Sequence, residues 1–146
     1  MRNGVLVAVA AAVMAIAGCG STPAAAPKPR GSLNAGTSLV SIDAAAGSGS
    51  SHVACNSPGG SATTIFIGDR SAGVEIAIDT SRGLTAKSIA INNVEGFTGS
   101  YHENVQGDAR AGLVGQTYTF DGVARGFDVD KPSVVTNRTF SIRVAC

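Results

Sequence analysis

Five side chains of this sequence have the types best suited to nucleophilic, metal-binding or acid-base chemistry near neutral pH: Cys19, Cys55, Cys146, His52 and His102. The positions of the three cysteines differ in an informative way. Cys19 directly follows an apolar stretch of thirteen residues, 5–17, whereas Cys55 and Cys146 lie within and at the end of a region of alternating polar and apolar residues. We therefore expect two different kinds of cysteine chemistry.

The residues around Cys19 predict an exported, lipidated N-terminus. The apolar stretch 5–17 follows a positive charge at Arg2 and has the length of a signal-peptide core. It is too short to cross a bilayer as a helix, which takes about 20 residues. Ile16-Ala17-Gly18-Cys19 resembles a bacterial lipobox, in which the cysteine thiol receives a diacylglyceryl group, the chain is cleaved before the cysteine and the new amine is often acylated. The alternative is an ordinary secretory leader cleaved near Ala17.

Composition divides the rest of the chain into a tether and one domain. Residues 1–18 are the predicted signal peptide, residues 19–51 the lipidated cysteine with a flexible tether rich in Pro, Ala, Gly and Ser, and residues 52–146 a β domain. Within the tether, Leu39–Ile42 is a candidate for a short first strand. Ser21, Thr22 and Thr37 are candidate sites for O-linked sugars, although linkers are commonly rich in Ser and Thr.

Short apolar runs of period two predict an all-β fold. Val74, Ile76 and Ile78 alternate with polar or small residues, and Gly, Asn, Asp and Ser separate such runs. We expect a small antiparallel β-sandwich or strongly curved sheet of about 7–8 short strands, with at most one helical turn near 131–135. The candidate strands are 53–55, 63–67, 74–79, 85–91, 97–101, 109–114, 117–121 and 139–146.

Cys55 and Cys146 are expected to form a disulfide. Lipidation removes Cys19 from the count, which leaves two thiols in an oxidising compartment. Cys146 shares a strand face with Ile142 and Val144, so the bond is expected in the core, between the first and last strands of the domain. The alternative is two unpaired buried thiols.

Several segments resemble the mycobacterial lipoprotein antigen family typified by the nineteen-kilodalton antigen. They are the lipobox at Cys19, the small-residue tether, Val53–Cys55, Ile89–Val94, Gly122–Asp128 and the terminal strand Thr139–Cys146. The resemblance implies an actinobacterial envelope lipoprotein that is exposed at the cell surface, often glycosylated on the tether and recognised by host innate receptors through its acyl chains. The tether here is shorter and less Thr-rich than is usual in that family. The resemblance supplies no catalytic residue.

The remaining candidates for chemistry are better explained as loops and surface residues. Gly47–Ser50 superficially suggests a nucleophile turn but is expected in coil, and Pro58–Ser61 lacks the Lys of a phosphate-binding loop. Tyr101–Glu103 and Phe127–Asp130 carry metal-binding groups, yet a zinc site needs several converging ligands and Ca²⁺ takes about 6–8 oxygens. We therefore predict no enzyme, no bound metal and no cofactor.

Charge and resemblance together favour a display function. Removal of Arg2 with the leader leaves ten basic residues (11 − 1) against ten acidic ones, which argues against nucleic acid as a partner. We expect a non-catalytic, surface-displayed antigen or adhesin-like domain, held on the extracytoplasmic face of the membrane by acylated Cys19. A host receptor or an envelope glycolipid is the expected partner. The alternative, a lipid or glycolipid carrier, requires an apolar cavity lined by residues such as Ile65, Ile76, Ile89, Phe97 and Phe120.

Overall fold

The computed structural model describes residues 26–146, and these residues form ten strands and no helix. The strands are β1 (Thr37–Ile42), β2 (Ser48–Ser50), β3 (Val53–Asn56), β4 (Ala62–Gly68), β5 (Gly73–Asp79), β6 (Thr85–Val94), β7 (Phe97–His102), β8 (Asp108–Val114), β9 (Thr117–Asp128) and β10 (Thr136–Ala145). Tight turns join most of them. In the turn between β6 and β7, Glu95 and Gly96 both have positive φ, at 51° and 78°, as the favoured two-residue hairpin turns require.

The sheet is antiparallel and nearly closes into a barrel. Its strand order is β2-β1-β10-β9-β7-β6-β5-β4-β3, with β8 paired to β9 beside this path. β2 and β3 stand at opposite edges of the order, yet only Ser51 and His52 separate them in the sequence. The extended segment 48–56 therefore pairs with β1 through its first half and with β4 through its second half, and it joins the two edges of the sheet.

β9 pairs with two strands in succession along one of its sides. Residues 117–123 pair with β8 and residues 125–128 pair with β7, while β10 covers the other side of β9. Gly122 and Gly126 lie in these pairings, and a Cβ on either glycine would collide with a backbone carbonyl oxygen of β8 or β7. Glycine is therefore required where the neighbouring strands approach β9 closely.

Alternate side chains of the strands fill the interior of the barrel. On β5, Val74, Ile76 and Ile78 are buried whereas Glu75 is exposed, which is the period-two pattern that the sequence shows. The core is built mainly from Val and Ile, with three phenylalanines at its largest positions: Phe97, Phe120 and Phe140. Burial of these apolar side chains stabilises the fold by about 25 cal/mol per Å² removed from water.

The structure confirms the all-β class and the disulfide but corrects the architecture. Ten strands are present instead of about 7–8, and of the two expected arrangements the sheet is the strongly curved one, nearly closed into a barrel, and not the sandwich. Each candidate strand overlaps an observed one, although β9 extends seven residues beyond its expected end at Asp121 (128 − 121). In segment 131–135 the Val134 N–H donates to the Lys131 carbonyl in a turn, and no helical turn forms.

The domain begins before His52, where the tether was expected to end. β1 and β2 both lie within 37–50, so part of the expected tether belongs to the barrel. Gly47–Ser50 was expected in coil, and this was wrong, because Ser48–Ser50 pairs with β1 as β2. The pairing relies mainly on backbone groups, with one added hydrogen bond from the Ser38 hydroxyl to the Ser50 carbonyl, which explains why a Gly/Ser composition gave no strand signal.

The strands run between two ends of the barrel. The tether end comprises the start of β1, the end of β10 and the turn between β8 and β9, since Thr37, Ala145, Thr117 and Val114 are consecutive cross-strand neighbours. The distal end comprises the end of β1 and the connections β6–β7 and β9–β10. β10 has 10 residues and rises about 3.3 Å per residue, so the two ends are about 30 Å apart.

Candidate functional site

Cys19, the expected lipidation site, lies outside the described residues, as do Ser21 and Thr22. The described chain nearest to it, residues 26–36, runs across the tether end of the barrel. Pro29 and Ser32 lie so close to Gly115 that a Cβ on this glycine would be 3.4 Å from each of them. Gly36 donates its N–H to the carbonyl of Ala145 at 2.8 Å. The last part of the expected tether therefore packs on the β8–β9 turn.

Thr117 holds this segment through a hydrogen bond that joins distant parts of the chain. Its Oγ1 accepts the backbone N–H of Leu33 at 2.8 Å, and Thr117 itself is fully buried. A buried hydroxyl without a partner would cost stability, so the bond both fixes Leu33 and satisfies Thr117. The role of Thr117 is not predictable from the sequence, because a Thr at the start of a strand is ordinary and its partner is 84 residues away.

Cys55 and Cys146 form a disulfide, as expected, with their Cα atoms 6.0 Å apart. The expected location was wrong, because both cysteines are exposed at the tether end and lie outside the core. The bond also joins β3, the third strand, to the residue after β10, instead of joining the first and last strands. The bond closes the barrel covalently in the second half of segment 48–56, where this segment pairs with β4 and no longer with β1.

The β8–β9 hairpin presents an uncharged, partly apolar surface at the tether end. Residues 111–120 contain no charged side chain, and within them Leu113 is 57% exposed and Val114 36% exposed. A shallow depression of about 370 Å³ lies beside them and is lined by Leu113, Gly115, Gln116, Tyr118 and Cys146. We call residues 111–120 the hairpin tip.

The distal end is charged and is organised by Arg138. This guanidinium donates from Nη1 to Asp43 and from Nη2 to Asp128, at 2.6 Å in each case. Asp43 also accepts the N–H of Thr139 at 3.0 Å. The hydrogen bond from Arg138 is the main cause that lowers the pKa of Asp43, and the two carboxylates raise the pKa of Arg138. The arrangement ties together the β1, β9 and β10 strands.

Glu95 adds a third acidic group to this end. Its carboxylate accepts the backbone N–H of Ile42 at 3.0 Å, which fixes the β6–β7 turn to the end of β1. A cavity of about 370 Å³ opens between these elements, and its lining includes Asp43, Glu95, Asp128 and Arg138. Asp128 is a candidate Ca²⁺ ligand from the sequence, but its carboxylate is paired with Arg138, which would compete with a bound cation.

An open groove of about 530 Å³ lies on the outer face of β4, β5 and β6. Phe66, which is 43% exposed, forms an aromatic surface there, and Glu75 lies opposite it on the neighbouring strand. Arg70 and Asn92 also line the groove, and the Asn92 amide donates to the Arg70 carbonyl at 2.7 Å. An exposed aromatic face bordered by a carboxylate and a guanidinium suits a ligand with both an apolar face and polar groups.

The other residues considered for catalysis either stabilise the fold or are isolated on the surface. Tyr101 is buried and its hydroxyl donates to the Ala86 carbonyl at 3.3 Å, while Glu103 pairs with Lys87. Pro58–Ser61 is the connection between β3 and β4, as expected. His52 and His102 are exposed, and the described residues include no group of three or more His, Cys, Asp or Glu that could hold a metal ion.

The five residues expected to line a lipid cavity instead fill the core. Each is at most 1% exposed, and all belong to one packed cluster: Ile65, Ile76, Ile89, Phe97 and Phe120. Interiors packed in this way contain few voids larger than a water molecule. In addition, no helix within residues 26–146 has the length and apolarity needed to cross a membrane.

Comparison with known proteins identifies relatives for most of the chain. The family model described as "Mycobacterium 19 kDa lipoprotein antigen" matches residues 31–146. A "Putative lipoprotein" of Mycobacterium avium subsp. hominissuis is 41% identical over 83 residues, which are 56% of this chain and 58% of that protein. "Lipoprotein LpqH" of Mycobacterium avium is 33% identical over 113 residues, covering 77% of this chain and 69% of the relative.

A more distant relative covers the whole chain. "Lipoprotein LpqH" of Mycobacterium bovis BCG is 29% identical over 168 aligned positions, which span 100% of this chain and 99% of the relative. The match spans only 58% of the "Putative lipoprotein" of Mycobacterium avium subsp. hominissuis and 60% of a "Putative lipoprotein" of Mycobacterium indicus pranii, which is 36% identical over 83 residues. The family match begins close to the Pro29–Leu33 segment that packs on the tether end and ends with the disulfide at Cys146. The chain belongs to the Mycobacterium 19 kDa lipoprotein antigen family.

Proposed function

We propose that this protein is a lipid-anchored envelope lipoprotein whose β barrel is displayed on the extracytoplasmic side of the membrane. Cleavage before Cys19 and acylation of that cysteine provide the anchor. One acyl chain gives only marginal membrane binding, at about 0.8 kcal/mol per buried methylene, whereas two or three chains hold a protein stably. The barrel itself is non-catalytic and acts by presenting its surface to other molecules.

The exposed Cys55–Cys146 disulfide is the observation that carries this proposal. Disulfides persist in exported proteins and are rare in the reducing cytoplasm, and this one is accessible to solvent. An exported protein with Cys19 at the end of an apolar stretch has the sequence context in which a lipobox cysteine is modified. The lipoprotein names of its relatives agree with this interpretation.

The displayed surface includes the groove beside Phe66 and the charged distal end. Both lie away from the segment that leads to Cys19, since this segment crosses the tether end. An envelope glycolipid or a host receptor is the partner class we propose for these surfaces. A sugar, which has an apolar face and hydroxyl groups, suits Phe66 with Glu75 and Arg70. The carrier function is less well supported, because the core residues that it would need are packed against one another.

The anchor is tested by producing the full chain in a mycobacterial host and comparing Cys19→Ala with the neighbouring control Ser21→Ala. We expect the unsubstituted protein and the control to partition into detergent and to begin at residue 19 with added acyl mass by intact mass spectrometry. We expect Cys19→Ala to enter the aqueous phase. Tight membrane association of Cys19→Ala, or a native chain without added hydrocarbon at residue 19, would contradict the proposal.

A further inference from the structure

The hairpin tip combines exposure, apolar character and absence of charge at the end of the barrel where the N-terminal segment is attached. Leu113 and Val114 project from it, and the nearest charged residues of this hairpin, Arg110 and Asp121, lie opposite each other on β8 and β9. Arg110, the charged residue of β8 nearest to the turn, is four residues before Val114 (114 − 110). A surface of this kind can approach a bilayer without desolvating an ion.

The length of chain before the barrel limits how far this surface can lie from an anchored Cys19. Pro29 packs on Gly115, which is in the hairpin tip, and Pro29 is only ten positions (29 − 19) after Cys19. A fully extended chain spans at most about 3.6 Å per residue, so the tip stays within about 36 Å of the anchor point. The part of the expected tether that could have extended further, residues 29–36, is bound to the barrel.

We propose that the hairpin tip docks on the membrane that holds Cys19, with Leu113 and Val114 at the boundary between headgroups and acyl chains. This inference rests on the proposed acylation of Cys19. The docking is shallow, because within the described residues β8 pairs only with β9 and its other edge bears backbone groups that need water or headgroups as partners.

Charges at the tether end determine which side of it faces the lipid. Lys28 and Arg30 are exposed on the segment beside Gly115, and basic residues near a bilayer are attracted to anionic lipids. The opposite side of the same end, around the β5–β6 turn, carries two acidic and two basic residues, which have no net attraction to anionic lipid and whose charges favour water: Asp79, Arg82, Lys87 and Glu103. The barrel is therefore tilted on the membrane, with the hairpin tip lowest and the β5–β6 turn raised.

Tryptophan fluorescence tests this docking cleanly, because the chain contains no tryptophan. The lipidated full chain is reconstituted on vesicles of phosphatidylcholine and phosphatidylglycerol whose acyl chains are brominated, as Leu113→Trp and, as a control, Val134→Trp. The two positions are matched in exposure, at 57% and 56%, but lie at opposite ends of the barrel. Both variants are first checked for an intact disulfide and an unchanged melting temperature.

We expect a blue-shifted spectrum and strong quenching for Leu113→Trp, and a spectrum typical of water without quenching for Val134→Trp. Equal quenching of the two, or no quenching while the protein still floats with the vesicles, overturns docking and leaves the anchor intact. Failure of the protein to float with the vesicles overturns both the docking and the anchor. A blue shift at Leu113→Trp without quenching identifies contact with a second copy of the chain and also overturns docking.

Hydrogen exchange provides a second measurement that needs no tryptophan. Amides of residues 113–116 in the lipidated protein should exchange more slowly on vesicles than in the Cys19→Ala protein in solution, while amides near Val134 should not differ. Leu113→Ala removes about three methylene equivalents and should weaken docking by up to roughly fiftyfold, which would restore fast exchange. Protection that survives Leu113→Ala unchanged would contradict the role of this side chain.

Discussion

The two ends of the barrel are held together by different physical means. At the tether end, a disulfide and a buried hydrogen bond between neutral groups join the N-terminal segment, β3, β9 and the end of β10. At the distal end, the Arg138 guanidinium binds two carboxylates, and Glu95 binds a backbone N–H. The first set of interactions needs no charge, whereas the second depends on charges in contact with water.

This difference bears on the orientation of the molecule. Exposed valines also occur at the distal end, at Val129, Val134 and Val135, but Asp130 and Lys131 lie between them in the sequence. Immersion of that loop in lipid would desolvate charged groups, at a cost of several kcal/mol per ion. The hairpin tip presents Leu113 and Val114 without this cost. Similar apolar exposure therefore has different consequences at the two ends.

Removal of the disulfide is the substitution expected to weaken the tether end most. The bond closes a loop with a sequence separation of 91, and loss of a native disulfide of this kind costs about 2–5 kcal/mol. We expect Cys55→Ser with Cys146→Ser to lower the melting temperature by about 4–8 °C for each kcal/mol lost. Hydrogen exchange should rise in β3 and at the end of β10 and stay unchanged near Arg138. An unaltered melting temperature would show that covalent closure contributes little.

Loss of the Thr117 hydroxyl tests the neutral hydrogen bond at the same end. Thr117→Val keeps the side-chain shape and leaves the Leu33 N–H without its acceptor, so we expect a loss of about 1–2 kcal/mol. Release of the N-terminal segment should speed tryptic cleavage after Arg30, as followed by mass spectrometry. Thr119→Val, two residues further along β9, is the matched control. Equal cleavage rates in the two variants would mean that Thr117 does not hold the segment.

Sequence periodicity predicted the strands whose side chains alternate strongly, and it failed where backbone geometry determines the pairing. β5 was predicted almost residue for residue because Val74, Ile76 and Ile78 must share one buried face. β2 has only Ser and Gly, and the second half of β9 needs Gly122 and Gly126 for close strand approach, so neither shows an apolar period. Because these two segments were not recognised as strands, the sequence did not distinguish a sandwich from a strongly curved sheet. The structure shows the curved sheet, nearly closed into a barrel.

The same limit applies to the candidate site, because local sequence patterns do not reveal which distant residues are in contact. The Cys55–Cys146 bond was predictable from the small number of thiols, but its exposure was not, since Cys146 follows the last buried residue of β10 by one position. Arg138 and Asp43 are 95 residues apart, and nothing in the sequence near either one indicates the partner. The register of the strands brings these distant residues together at each end of the barrel. That register is fixed only when the whole sheet has formed, so it cannot be read from a local segment of sequence.

Acid should weaken the distal end through Asp43, and Arg138→Met removes the guanidinium on which this effect depends. The folded pKa of Asp43 lies below its ordinary value of 3.8, mainly because of Arg138, so its contribution is present above pH 3.8 and is lost as the pH falls through the folded pKa. Both ion pairs of Arg138 are partly exposed and screened by water, so the variant should lose only a small part of the stability at neutral pH. Denaturant titrations at several pH values measure both quantities. Below the folded pKa of Asp43, the gap in unfolding free energy between wild type and Arg138→Met should narrow, since protonated Asp43 no longer pairs with Arg138 while Asp128 still does. Arg143→Met, on the outer face of the same strand, should follow the wild-type pH dependence. A gap between wild type and Arg138→Met that stays the same at every pH would assign the stabilisation to packing of the Arg138 stem instead of its charge, and would remove the electrostatic contrast between the two ends.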